Sequence, residues 1–265
     1  MSRSPLVALI AAAAFALLTG CVSDRGFGPV PMDGEDLCEG GCDTDGQTVR
    51  ILGSTYDAAA GLPIGVVTVC SLLDAGGDCA RSDLEGRFDL TVRPSSVHGA
   101  ASDDLVVLTL ERPGYMPVVH SFHAAAGVDA VMWDLPMYSE DSLQDQADRV
   151  RETLEDNRGH IVVSASSSLQ VDSEPSAVDG LRIKSSGDSF YTDGEGSLDV
   201  RQAGMSADAT AMLLNVSAGL QTVTPYRGDR SAVCLPMSGW PGDRRGTAEV
   251  FVLPGYVSTA SFSCR

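Results

Sequence analysis

The chain has 265 residues, 36 acidic and 18 basic, and a formal net charge of −18. Such a balance repels phosphate, which excludes nucleic acid and anionic lipid headgroups as partners of the body. Its length fits two modest domains or one large all-β domain.

The chain opens with Arg3 and an apolar run from Leu6 to Leu18. That run is short for a retained membrane helix and has the layout of a signal segment. It breaks at Leu18-Thr19-Gly20-Cys21, which resembles the lipobox of bacterial lipoproteins. The resemblance implies cleavage before Cys21, a diacylglycerol on its sulfur and acylation (palmitate) of the new amine. Each buried CH₂ contributes about 0.8 kcal/mol, so several chains hold where one does not. Val22 follows the cysteine where aspartate would mark retention at the inner membrane. By that resemblance the protein is anchored in the outer membrane, facing the periplasm or the exterior.

Residues 1–20 are thus expected to be a signal peptide and 21–47 an acidic, Gly/Pro-rich tether without apolar periodicity. Its carboxylates lack EF-hand spacing for Ca²⁺. Seven cysteines are present. With Cys21 lipidated, clustering suggests the disulfides Cys38–Cys42, Cys70–Cys79 and Cys234–Cys264 as the simplest local scheme, suited to an oxidising compartment. Zinc is the rival, but the Cys38-x₃-Cys42 and Cys70-x₈-Cys79 spacings suit it poorly.

Residues 48–138 alternate short strand-like runs with turn residues. Val66 to Cys70 is β-branched, Phe88, Leu90 and Val92 alternate with polar partners, and Leu105 to Leu110 is the densest core candidate. About seven short strands without a helical period predict a Greek-key sandwich. Gly61-Leu62-Pro63-Ile64-Gly65-Val66-Val67-Thr68-Val69, Ser82-Asp83-Leu84-Glu85-Gly86-Arg87-Phe88 and Gly114-Tyr115 together resemble the carboxypeptidase regulatory-like, transthyretin-like β-sandwich. The resemblance implies a fold and leaves function open.

Across 139–158, Leu143, Ala147, Val150 and Leu154 step at a helix period. This predicts a short linker helix, capped at Asp141 or Ser142 and ending at Arg158-Gly159. Residues 159–265 are β-rich and predict a second sandwich. The expected fold is therefore all-β: two small Greek-key sandwiches joined by a helix.

Catalytic patterns are missing. There is no HExxH and no Gly-x-Ser-x-Gly elbow, and disulfide pairing leaves no thiol nucleophile. His98, His120, His123 and His160 are expected at the surface, unsuited to a joint metal site. No cofactor or metal is implied. Lys184 is the only lysine, and Asn215 is one possible mate for it in an isopeptide cross-link. Trp240, in a turn-like stretch, is the leading candidate binding residue, as an exposed aromatic or else as a cover for the sandwich end; Tyr226 and Tyr115 are weaker candidates. The reading is a non-catalytic envelope lipoprotein, tied to the membrane by its lipid. It acts as a structural or binding accessory with a protein or glycan partner. The alternatives are a hydrolase of a cell-envelope polymer or glycan and a subunit of an envelope complex.

Overall fold

The computed structural model describes residues 48–73, 79–93, 105–123, 130–167, 178–193, 195–206, 209–228, 230–232, 234–240, 242–243 and 246–265. The signal peptide, Cys21 and the Cys38–Cys42 pair lie outside the described residues, as does His98.

The first half contributes β1 (Val49–Asp57), β2 (Thr68–Ser71), β3 (Cys79–Arg81), β4 (Arg87–Val92), β5 (Leu105–Glu111), β6 (Tyr115–Met116), β7 (Val118–His123) and β8 (Ala130–Ser139). Helix α1 (Glu140–Val150) follows. The second half contributes β9 (Gly159–Ser167), β10 (Arg182–Lys184), β11 (Asp188–Thr192), β12 (Leu198–Asp199), β13 (Thr210–Val216), β14 (Gly219–Arg227), β15 (Arg230–Ser231), β16 (Cys234–Pro236), β17 (Gly242–Asp243), β18 (Thr247–Val252) and β19 (Val257–Cys264). The chain is therefore mostly β, as expected.

Three sheets form. A ten-stranded sheet runs β12-β11-β13-β9-β19-β7-β5-β2-β3, with β16 also on β19. A four-stranded sheet runs β4-β1-β8-β6, and a five-stranded one runs β10-β14-β18-β17 with β15 on β14. β19 pairs in parallel with both β7 and β9. The last described strand is thus the middle of the large sheet and joins strands from before and after α1. The helix marks a division in the chain, while the central sheet runs across it.

Alternation along the central strands supplies two cores, one on each face. Val106, Leu108 and Leu110 of β5 join Ile51, Phe88 and Leu135 of the four-stranded sheet, together with Leu143 and Ala147 of α1. Leu105 and Val107 of the same strand point the other way, into a core shared with Val223, Val250 and Phe251 of the five-stranded sheet. Being covered on both faces explains the near-continuous apolar runs of β5, β9 and β13.

The helix departs from its expected bounds: it is capped two or three residues before Asp141 and Ser142, and it stops at Val150, well short of Arg158-Gly159. Ser139 is the N-cap, its side chain accepting from the Ser142 N–H, and the helix ends where Arg151 adopts a left-handed conformation. Leu143, Ala147 and Val150 are buried as the stripe predicted, and Leu154 packs against the same core from beyond the helix end.

Two of the three proposed disulfides fall on described residues, and both form. Cys70–Cys79 and Cys234–Cys264 join directly paired residues of antiparallel ladders, with Cα separations of 4.1 and 4.0 Å. Two of the three stretches that carry the regulatory-like resemblance, Gly61–Val69 and Ser82–Phe88, meet at the end of β1. Gly86 has φ +81°, and a Cβ there would lie 2.5 Å from the Thr55 carbonyl oxygen, so only glycine fits. The Thr55 hydroxyl donates to the Ile64 carbonyl at 2.6 Å, and the Ser82 hydroxyl accepts from the Val67 N–H at 2.9 Å.

Candidate functional site

The site lies where β19 changes partners. Its ladder with β7 covers Val257↔Val118 and Ser258↔Val119. From Pro236↔Phe262 to Cys234↔Cys264 its neighbour is β16. Between these stretches the segment 237–240 fills the seam. The Met237 N–H donates to the Ser261 carbonyl at 2.8 Å, the Ser261 N–H donates to the Ser238 hydroxyl at 3.1 Å, and the Ser121 hydroxyl donates to the Ser238 carbonyl. Gly239 sits against β7 so closely that a Cβ would lie 2.3 Å from the Phe122 Cα. The Trp240 indole N–H donates to the Thr259 carbonyl at 2.6 Å.

On the other face of this seam, His120 Nδ1 meets Thr259 Oγ1 at 2.5 Å. Beside them is a cavity of about 460 Å³, roofed by β1, β8 and α1 and floored by the central sheet. Register builds the floor. Ser261 of β19 pairs with Ser164 of β9, and Ser164 with Thr210 of β13. Thr192 of β11 continues the row, its hydroxyl donating to the Thr210 carbonyl at 3.1 Å. Four hydroxyl side chains thus cross four adjacent strands, spaced by about 4.8 Å per strand. The next row is Thr259, Val162 and Met212. The roof carries Tyr56, Asp134 and Tyr138 from the four-stranded sheet, with Ser142 and Gln146 from α1. Asp134 accepts from the Ser54 hydroxyl at 2.5 Å, and the Gln146 carbonyl oxygen accepts from the Leu198 N–H at 2.7 Å.

Burial lowers the His120 pKa to about 4, so the ring is neutral at pH 7. Tyr56 is raised, first by burial and then by the Asp134 charge. Tyr138 is half-buried, and burial and then Tyr56 hold its phenol well above the ordinary range. Both phenols stay protonated and able to donate.

The expectation for the histidines is corrected. His120 is 8 % and His160 2 % exposed, and His160 Nδ1 accepts from the Asn215 N–H at 3.2 Å; His123 alone among the described histidines is exposed. Trp240, 3 % exposed, offers no face to a ligand and takes the covering role. Tyr115 is half-buried under Arg112, whose guanidinium carbon lies 4.9 Å from the ring centroid, and its hydroxyl donates to Asp57 at 3.0 Å. Tyr226 is half-buried on β14, opposite Arg182. None of the three aromatics lines the cavity. Asn215 is committed elsewhere, donating to the Thr153 carbonyl at 2.8 Å and accepting from the Glu155 N–H at 2.9 Å. Lys184 is exposed on β10. These contacts give the isopeptide pair no support.

The cavity residues escaped sequence reasoning, although a signal was present. Val118-x-His120-x-Phe122, Val257-x-Thr259-x-Ser261 and Val162-x-Ser164 each turn polar partway along an inward-facing row. Among the described residues no helix is long and apolar enough to cross a membrane.

No family model and no curated protein matches the chain. Among solved structures, the Bacillus anthracis TIE protein aligns at 9 % identity and TM-score 0.27, over 82 % of this chain and 34 % of that one. This chain therefore spans about a third of that protein's length. A shaft pilin SpaA (D295N mutant) from Lactobacillus rhamnosus GG aligns at 9 % identity and TM-score 0.23, over 83 % and 99 %. The minor pilin GBS52 from Streptococcus agalactiae aligns at 8 % and 0.25, over 82 % and 96 %. At these scores the likeness carries no weight for fold or function.

Proposed function

We propose that this is an exported lipoprotein, held to the outer membrane through acylated Cys21, whose β body acts by contact as a structural or binding accessory of the envelope. The observation that carries the reading is the pair of closed disulfides, Cys70–Cys79 and Cys234–Cys264. They suit an oxidising compartment, which is where the signal-like run and the lipobox resemblance direct the chain. Binding is favoured over turnover by the cavity itself. Among the described residues its lining has one carboxylate, Asp134, whereas glycoside hydrolysis by paired acids needs two.

The test is the mass of the mature amino terminus from solubilised membranes, with labelled palmitate. The expected result is a chain beginning at Cys21 with acyl groups, and a Cys21→Ala chain released from the membrane fraction. An uncleaved, unmodified terminus overturns the reading.

Membership of an envelope complex is favoured by a separate observation. Leu62 is 64 % and Leu84 79 % exposed, on two touching turns: a Cβ on Gly65 would lie 2.6 Å from the Leu84 Cα. These apolar tips flank Val66, a β-branched residue at φ +67°, and a strained apolar tip is a feature of contact sites.

A further inference from the structure

We infer that the cavity beside His120 and Thr259 is a binding site for a small, uncharged, polyhydroxylated ligand, of the size class of a mono- or disaccharide. The inference rests on the binding reading above and names the ligand chemistry.

Three properties of the cavity lead there. The floor row Ser261–Ser164–Thr210–Thr192 lines the cavity with hydroxyl groups; the Thr192 proton goes to the Thr210 carbonyl, which leaves its oxygen as an acceptor, while a serine or threonine hydroxyl can otherwise both donate and accept. That dual character matches ligand hydroxyls, which themselves both donate and accept. Alongside runs an apolar strip, Val162 and Met212, suited to the C–H face of a sugar ring. Charge narrows the class further. Among the described residues the lining holds Asp134 and no lysine or arginine, so an anionic ligand meets a carboxylate and no counter-charge from them. With His120 neutral, no fixed cation offsets Asp134. A volume of about 460 Å³ lies within the range of small-ligand sites.

The polar floor is specific to this region. Nearer the other end of the same rows the inward residues are Val118 and Val257, both fully buried. Ser164, by contrast, is exposed, so the row is reachable from solvent. Hydroxyls at inward positions leave an open gap where aliphatic side chains would have closed the layers.

The test is titration calorimetry on detergent-solubilised full-length protein, with maltose, cellobiose and N,N′-diacetylchitobiose as neutral probes. Glucuronic acid and glucosamine are the charged probes. The expected result is saturable binding of at least one neutral probe and none of glucuronic acid. Ser164→Phe, which fills the mouth from an exposed position, weakens binding about tenfold or more, equivalent to about 1.4 kcal/mol. Ser164→Ala with Ser261→Ala, which removes two floor hydroxyls, also weakens it while circular dichroism stays unchanged. The inference is overturned if no neutral probe binds the folded protein, if Ser164→Phe binds as well as wild type, or if glucosamine alone binds. Any of these with Cys21 still acylated leaves the anchoring proposal standing. Sugar binding by a chain without acylation leaves this inference standing alone.

Discussion

His120 of β7 and Thr259 of β19 meet side chain to side chain, Nδ1 to Oγ1, at 2.5 Å, just past the point where the backbone ladder between their strands stops. The contact takes over from the ladder at the join between the two halves of the chain. Burial, not the contact itself, keeps the imidazole neutral.

Acid should therefore loosen the fold. His120 and His160 both have folded-state pKa values of about 4, lowered by burial from 6.5. Below pH 6.5 the unfolded chain takes up protons that the folded chain refuses, so stability falls as pH drops from about 6.5 towards 4. At the lower end the loss approaches about 3 kcal/mol per histidine. Urea unfolding at pH 7, 5.5 and 4.5 with disulfides intact should show a falling midpoint, less steep in His160→Gln. A flat wild-type profile contradicts the burial assigned to these rings.

Trp240 should matter for stability more than for any ligand. Trp240→Ala empties a core position and is expected to destabilise by about 3–5 kcal/mol. Trp240→Phe keeps most of the volume but leaves the Thr259 carbonyl without its donor, at a cost of about 1–3 kcal/mol. Denaturant midpoints of the two variants give the order; equal, negligible losses would mean that the indole is exposed in solution.

The Cys234–Cys264 bond spans a sequence separation of 30. On the chain-entropy account, replacing both cysteines by alanine lowers stability by about 3–4 kcal/mol. Limited proteolysis should then cut first near β16 and β19, whose pairing the bond secures. An unchanged cleavage pattern would show that the ladder alone is sufficient.

Val66 sits in a left-handed conformation that costs a valine roughly 1–2 kcal/mol. Val66→Gly is expected to raise thermal stability or leave it unchanged, although it removes an apolar side chain. If this tip contacts a partner, Val66→Gly and Leu84→Ser should each reduce co-purification from solubilised membrane while the body stays folded. A clear loss of stability in Val66→Gly would show that its side chain packs in the native state.

Much of the β content could be read from local pattern. Phe88, Leu90 and Val92 alternate as a half-buried strand should, and they are buried. The close cysteine pairs and the Leu143–Ala147–Val150 stripe are likewise local signals. The shared central sheet was not readable, because β19 pairs with β7 across 139 residues of sequence (His120 to Thr259), and no local pattern encodes parallel insertion between distant strands. Trp240 was misleading for a related reason. Its Gly-Trp-Pro surroundings describe a turn, and whether a turn folds inward depends on what it meets, here Gly239 against Phe122. The histidines and the hydroxyl row stayed hidden because strands covered on both faces lose the simple rule that polar side chains point to water.

The position of β19 also sets a timetable. In vectorial synthesis or translocation, Val257–Cys264 emerges after every strand it joins. Until it arrives, the other nine strands are separate: β7-β5-β2-β3 from before α1, β12-β11-β13-β9 from after it, and β16, whose ladder is with β19 itself. Joining of the two halves of the sheet thus waits for the last of the described strands, a useful delay if, as proposed above, the chain is threaded unfolded across a membrane.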